Sequence, residues 1–299
     1  MIKVSVIITT YGSPFFLEKC IESVFNQSLE GIELIVVDDN NPFTEARVLT
    51  EKIIDNFINS DRKIIYLKHE YNKNGAAARN TGLAVARGKY ISLLDSDDEY
   101  YIDRLEKCFN KLEVCSNKIA GVYTGCEFRR NGEKFNIHKK NKSGNFLLGS
   151  LACTFMLYTG SNIFVRKCVI DELNGFDDQF LRHQDYEFLV RLFKGYALEA
   201  IPEVLVIKNN ENFNLPDVHK MIDIKEQFLY KFSSLIKGLE INEQTYIYHN
   251  HYISIAEHAL RTKEFAVASK YYLKAKESGA LTMKNRYRKI IFTILNYIK

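Results

Sequence analysis

"KYISLLDSDDEY" (residues 89–100) decides how this chain folds. Its first half, 89–95, is a short apolar run of the kind found in strands buried on both faces. Its second half crowds four acids, Asp95, Asp97, Asp98 and Glu99, into five positions. Like charges this close repel, so they need either a helix start, where the dipole favours acids, or a cation. A helix cap explains one acid. A divalent ion with oxygen ligands explains the crowding, and magnesium or manganese shared with substrate phosphates suits such a site.

Upstream, the periodicity alternates. Strands are expected over 3–9, 32–39 and 63–69, and the quoted run is the fourth. Between them lie helical stretches: 13–28, with Ser13 as N-cap and Pro14 at the first helical position, then 44–59 and 74–88. This order predicts an α/β fold, a mostly parallel sheet with helices on both faces. Ligands then bind outside the carboxyl ends of the strands. Thr9/Thr10/Tyr11, Asp38/Asp39 and Asp95–Glu99 all fall at that rim. Neither G-x-G-x-x-G nor a P-loop motif follows a strand, so phosphate charge is left mainly to a metal. Tyr11 is placed to stack on a base and Asp39 to accept a hydrogen bond from it.

Downstream, Asn131-Gly132 marks a hairpin, 160–166 a further strand, and "HQDYEFLVRLFKGY" (183–196) a helix with Asp185 in its first turn. A strand returns over 199–209. From 216 the pattern is helical, with a helical hairpin over 252–280 and a basic, amphipathic end at 283–299. The expected division is therefore 1–215 and 216–299. The basic end suits an anionic membrane surface or a packed helix, and the helical region offers a surface for self-association. His249 and His251, two apart on a helix, point to different faces and are expected to pack rather than bind metal.

Composition sets the outer bounds. Of 299 residues, 46% are hydrophobic and 26% charged, as in ordinary soluble proteins. The net charge of +4 is too mild to argue for nucleic acid. There is no signal-peptide pattern and no apolar run of about 18 residues, the length that spans a bilayer, so a cytoplasmic protein is expected. Six cysteines without C-x-x-C spacing are expected as reduced thiols.

"VSVIITTYG" (4–12), "IELIVVDDN" (32–40), "NGAAARNTG" (74–82), "GKYISLLDSDD" (88–98) and "HQDYEFLVRL" (183–192), in this order and spacing, resemble glycosyltransferase family 2. The resemblance covers residues 1–205 and is to bacterial enzymes of surface polysaccharide synthesis. It implies an inverting, metal-dependent enzyme of the GT-A type that moves a hexose or N-acetylhexosamine from a UDP-sugar to a saccharide or lipid-linked acceptor. By that resemblance Thr9, Tyr11 and Asp39 hold the uridine, with Asp38 and Arg79 nearby. Asp95 contacts the nucleotide, Asp97 ligates Mn2+ or Mg2+ with Asp95 beside it, and Asp98 faces the donor sugar. Asp185 is the catalytic base, and Gln184 stands where the family has the Glu of a Glu-Asp pair. His183, Gln184 and Ser161 are candidates for the acceptor side.

Three other readings compete. A haloacid-dehalogenase-type phosphatase places its nucleophilic Asp on the first strand, not the fourth. A nucleotidyltransferase shares the Asp-x-Asp metal chemistry. A degenerate, non-catalytic scaffold predicts lost carboxylates, yet Asp95, Asp97 and Asp185 are present.

Overall fold

The computed structural model describes residues 1–60, 62–139, 142–209 and 216–279. The elements follow in chain order as β1 (Val4–Thr10), α1 (Leu17–Phe25), β2 (Ile32–Asp38), α2 (Glu45–Asn59), β3 (Ile64–Lys68), α3 (Gly75–Val85), β4 (Tyr90–Asp95) and β5 (Asp98–Tyr100). Next come α4 (Arg104–Glu113), β6 (Ile119–Arg130), β7 (Glu133–His138), α5 (Leu147–Leu151), a 3-10 turn (Gly160–Asn162), β8 (Phe164–Arg166), α6 (Lys167–Glu172), α7 (Gln184–Phe193) and β9 (Ala197–Asn209). The remaining helices are α8 (Val218–Lys231), α9 (Ser233–Lys237), α10 (Ile241–Arg261) and α11 (Phe265–Ser278).

The chain forms two units: Met1–Asn145 with Leu157–Phe213, and Phe146–Met156 with Asn214–Lys299. The second unit thus takes 146–156 from mid-chain, a segment that a division at 215/216 leaves with the first. In that second unit α10 and α11 form the expected hairpin, joined through Ile255, Ala256, Tyr271, Tyr272 and Ala275. His251 is fully buried and bonded through Nε2 to the Leu151 carbonyl at 2.8 Å, a packing role as expected. The basic stretch 283–299 lies outside the described residues.

In the first unit the strand order is β3-β2-β1-β4-β8-β6-β9-β5, with β7 beside β6. β1, β2, β3 and β4 run parallel, as their alternation with helices requires. The second half mixes parallel β6/β9 with antiparallel β4/β8, β6/β8 and β5/β9, so the sheet is mixed. β5 begins three residues after β4 ends yet lies four ladder steps away in the order. Those steps total about 19 Å if flat, while the linking chain reaches about 10 Å. The sheet must therefore curl, and the curl brings β9 over the end of β4.

Strand alternation assigns the faces. Val4, Val6 and Ile8 of β1, Leu34 and Val36 of β2, and Tyr90 and Leu94 of β4 share one core with α1, α2 and α4. Ile7 points the other way, against Gly82 of α3. Asp95, in step with Ile91 and Leu93, belongs to this second face, and so does its register partner Thr9.

Two helix starts differ from expectation. Helix α1 begins at Leu17, and Ser13 and Pro14 lie in the turn before it. Glu99, the acid left over for a helix start once Asp95, Asp97 and Asp98 are assigned, does not open one: it lies in β5, paired with Ile207 of β9, and accepts a bond from Asn209 Nδ2 at 3.0 Å. The pull of β9 on the chain, 110 residues away in sequence, outweighs the local helix signal.

Where α3 returns to β4, Gly88 passes so close to β1 that a Cβ would lie 2.4 Å from the Ser5 nitrogen. Gly88→Ala is expected to cost about 1–3 kcal/mol of stability by forcing backbone apart. Gly195→Ala, where a Cβ meets nothing within 4 Å, should stay within about 0.5 kcal/mol of wild type. Urea denaturation of the two variants measures the difference.

Candidate active site

The acidic turn between β4 and β5 is held from below by the 3-10 turn. Thr159 and Ser161 donate their hydroxyls to Asp98 Oδ2 at 2.5 and 2.6 Å, and Ser161 Oγ accepts the Asp95 amide at 2.9 Å. Asp98 is fully buried. Burial first, and then the charges of Asp97 and Asp95, push its carboxyl up to about 7, against the pull of Lys208. Asp97 stays exposed at the tip of the turn. Desolvation by the surrounding turn and the Asp95 charge raise it above the ordinary aspartate value. The Lys208 ammonium faces all three acids, whose charges hold it protonated against the cost of burial.

Arg79 ties this turn to the helix carrying Asp185. It rises from α3 on the same face as Asp95. Nη2 meets Asp95 Oδ1 at 2.9 Å while Nη1 donates to Gln184 Oε1 at 2.9 Å. Burial alone would raise Asp95, but the Arg79 guanidinium, then Lys208, hold it below the usual carboxylate range. Glycine at position 160 leaves room for the guanidinium: a Cβ there would lie 2.9 Å from Arg79 Nη2 and press on it. Asn74, the N-cap of α3, accepts the Ala76 and Ala77 amides through Oδ1. That fixes its oxygen as an acceptor and leaves the Gln184 amide to donate to it at 3.4 Å. A glutamate at 184 would present an oxygen to that oxygen. Gln184 is therefore matched to this chain.

Asp185 follows in the first turn of α7, whose N-cap His183 is left-handed (φ 59). Burial pushes its carboxyl above the usual aspartate range, against the Tyr186 amide and the Arg79 charge. The helix start favours the ionised form, and burial outweighs it. A carboxylate so raised is a stronger base.

Asp38 and Asp39 are consecutive on β2 and therefore point to opposite faces. Asp38, fully buried, turns to the α2 face, where Arg47 Nε lies 3.1 Å away, Tyr66 donates at 2.7 Å and Asn40 at 2.8 Å. Asp39 turns to the α3 face and shapes the loop into that helix, accepting from His69 Nδ1 (2.7 Å), Asn72 Nδ2 (2.7 Å) and the Lys73 and Asn74 amides (2.8 and 2.9 Å). Tyr11 is 64% exposed above β1, and its neighbour Gly12 is anchored to Asn40 Oδ1 at 2.8 Å.

Several expectations change accordingly. Contrary to expectation, Asp38 and Asp39 are not presented to a ligand, because both oxygens of each are engaged inside the protein. Asp98 is turned inward, away from any donor sugar. Ser161, fully buried, supports the acidic turn and cannot meet an acceptor. Gln184 is 8% exposed and holds Arg79. Thr9, Tyr11, Arg79, Asp95, Asp97, His183 and Asp185 remain on the second face or the rim. Lys208 and Asn74 were not anticipated. Each sits in an ordinary strand-end or cap context, and only the curl of the sheet and the pairing of β9 with β5 give Lys208 its neighbours.

Among the described residues no three His, Cys, Asp or Glu side chains cluster as a closed metal site. Asp97 is exposed and the Asp95 side chain is 28% exposed. Two carboxylates are the protein share that magnesium or manganese takes when substrate phosphates complete the shell. The donor set fits such an ion.

The family model described as "Glycosyl transferase family 2" matches residues 5–173. The chain belongs to glycosyltransferase family 2. This transferase is 32% identical over 240 residues to an uncharacterized glycosyltransferase of Methanocaldococcus jannaschii, covering 78% of each chain. It is 29% identical over 201 residues to the Escherichia coli UDP-Glc:alpha-D-GlcNAc-diphosphoundecaprenol beta-1,3-glucosyltransferase WfgD, covering 66% of this chain and 72% of that one. Among solved structures, the mannosyltransferase PcManGT from Pyrobaculum calidifontis, in complex with GDP-Man and Mn2+, aligns with a TM-score of 0.57 at 15% identity. That alignment covers 97% of this chain and 84% of that one. The fold of the transferase is thus of the GT-A type. No helix among its described residues is long and apolar enough to cross a membrane.

Arg79→Lys tests the bridge. One ammonium cannot reproduce the guanidinium fork to Asp95 and Gln184. The variant should keep its fold while glycosyl transfer falls about 10- to 100-fold, some 1.4–2.8 kcal/mol, read as kcat/KM beside an unchanged circular dichroism spectrum.

Proposed function

We propose that the protein transfers a hexose or N-acetylhexosamine from a UDP-sugar to a hydroxyl of a saccharide or lipid-linked acceptor, with inversion, at the cytoplasmic side of surface polysaccharide synthesis. The observation that carries the reading is the Arg79 bridge, which places the Asp95–Asp97 turn and the Asp185 helix at one rim. The printed activity of WfgD, a UDP-Glc enzyme acting on a diphosphoundecaprenol acceptor, supports the donor and acceptor classes. Family membership favours glycosyl over nucleotidyl transfer, the runner-up from the sequence.

In this reading Asp185 accepts the proton of the acceptor hydroxyl as its oxygen attacks the anomeric carbon opposite the leaving diphosphate. Arg79 keeps Asp95 ionised and α7 in register with it. Tyr11, exposed at the rim, stacks on the uracil, and Thr9 lines the same edge. Asp97, with Asp95 beside it, would hold a magnesium or manganese ion against the donor diphosphate. Bound there, the ion supplies Lewis-acid neutralisation of the leaving group. The buried Asp98, Thr159 and Ser161 hold the turn in shape.

A panel of UDP-sugars with manganese, read by UDP release, tests this directly. Wild type is expected to turn over at least one UDP-hexose or UDP-N-acetylhexosamine, and Asp97→Ala to lose metal dependence. No turnover of any nucleotide sugar, or an undiminished variant, overturns the reading.

Asp185→Asn should lower kcat by about 10²–10⁴ while UDP still raises the melting temperature. The pH–rate profile carries a sign. The base works when ionised and its pKa is raised. Activity should therefore fall as pH drops through a limb above the ordinary aspartate value of about 4.

A further inference from the structure

The second unit holds a cavity of about 290 Å³, formed by the 152–154 turn, α8 and α10. Its wall includes Lys225, Arg261, Asn250, Ser254, Thr154 and Glu257. Lys225 is 3% exposed. Among the described residues, no carboxylate lies within ion-pair distance of its ammonium and no acceptor bonds to it. A lysine set this deep, lining a cavity with no described carboxylate paired to it, presents a positive charge to whatever enters. Glu257 lines the same wall. Nearby His251 offers no compensation: burial first, and then the Lys225 charge, push it down to about 3, so it is neutral at ordinary pH.

The lining chemistry is mainly donating. Lys225 and Arg261 carry two positive charges against the one acid, and Asn250, Ser254 and Thr154 add neutral donors. Met221 and Ile253 supply an apolar side. The volume lies at the low end of small-molecule pockets, about 300–1,000 Å³, suited to a phosphate ester or a diphosphate end group rather than a whole nucleotide sugar.

We propose that this cavity binds a phosphoryl group, a small phosphate ester or a terminal diphosphate, with Lys225 as its buried counter-charge and Arg261 at its edge. The cavity is lined by residues of the second unit alone, and the proposal does not depend on the donor or acceptor assigned to the first.

The test uses the full chain in EDTA, so that metal-dependent phosphate binding at the Asp95–Asp97 turn is suppressed. Inorganic pyrophosphate is expected to raise the melting temperature with a logarithmic concentration dependence, with acetate giving no such shift. Lys225→Met, which keeps the aliphatic stem, should melt higher than wild type without ligand and lose the pyrophosphate shift. Arg261→Gln should weaken it at least about tenfold, a loss of about 1.4 kcal/mol. Cys153 also lines the cavity, so pyrophosphate should slow its alkylation by iodoacetamide, while the exposed Cys168 of the first unit reacts unchanged. No shift in wild type, an equal shift with acetate, an undiminished shift in Lys225→Met, or an unprotected Cys153 each overturns the proposal. A fall in the ligand-free melting temperature of Lys225→Met would show that the ammonium already has a partner. If that variant does not fold, Arg261→Gln and Cys153 protection decide.

Discussion

One guanidinium holds the first unit's site together. Arg79 spends its two terminal nitrogens on Asp95, at the end of β4, and on Gln184, at the start of α7. Those elements are joined by almost ninety residues of chain, and no backbone ladder ties the acidic turn to α7. A half-buried aspartate needs a counter-charge to stay ionised. Arg79 supplies it and also sets how far the Asp185 helix stands from the Asp95–Asp97 turn. Its fork is planar and fixed, so electrostatics and spacing come from the same atoms. Asn74 and Gly160 complete the constraint, one by orienting Gln184 and the other by leaving room for the guanidinium.

The sheet explains why these groups meet. Period-2 alternation puts Thr9, Asp39 and Asp95 on the face covered by α3, while Asp38 falls on the α2 face. The curl then swings β9 over the end of β4 and lays Lys208 against three carboxylates. The acidic turn is tolerable for several reasons at once: Arg79 and Lys208 nearby, two hydroxyls on Asp98, and an exposed Asp97 open to a cation.

Much of this was readable in the chain. The alternation of short β-branched runs with helical stretches fixes β1 to β4 and α2 to α3, because those signals are local. Asn131 and Gly132 adopt positive φ in the β6/β7 hairpin, as their pairing implies. The family segments led to Asp95, Asp97 and Asp185. What stayed hidden depends on partners far along the chain. Glu99 reads as a helix acid until β9 pairs with it. Ser161 reads as a pocket residue until Asp98 claims its hydroxyl. Asp38 and Asp39 read as one cluster because adjacency in sequence conceals that a strand turns them apart. The inclusion of 146–156 with the C-terminal helices had no compositional mark.

Transfer with one base and a single displacement inverts the anomeric centre, and the configuration of the first-formed product tests this most directly. With an α-linked UDP-hexose that the protein turns over, proton NMR early in the reaction should show the β-configured sugar, whether the acceptor is a saccharide hydroxyl or water. An α-configured first product would contradict the assignment of Asp185 as the base of an inverting transfer.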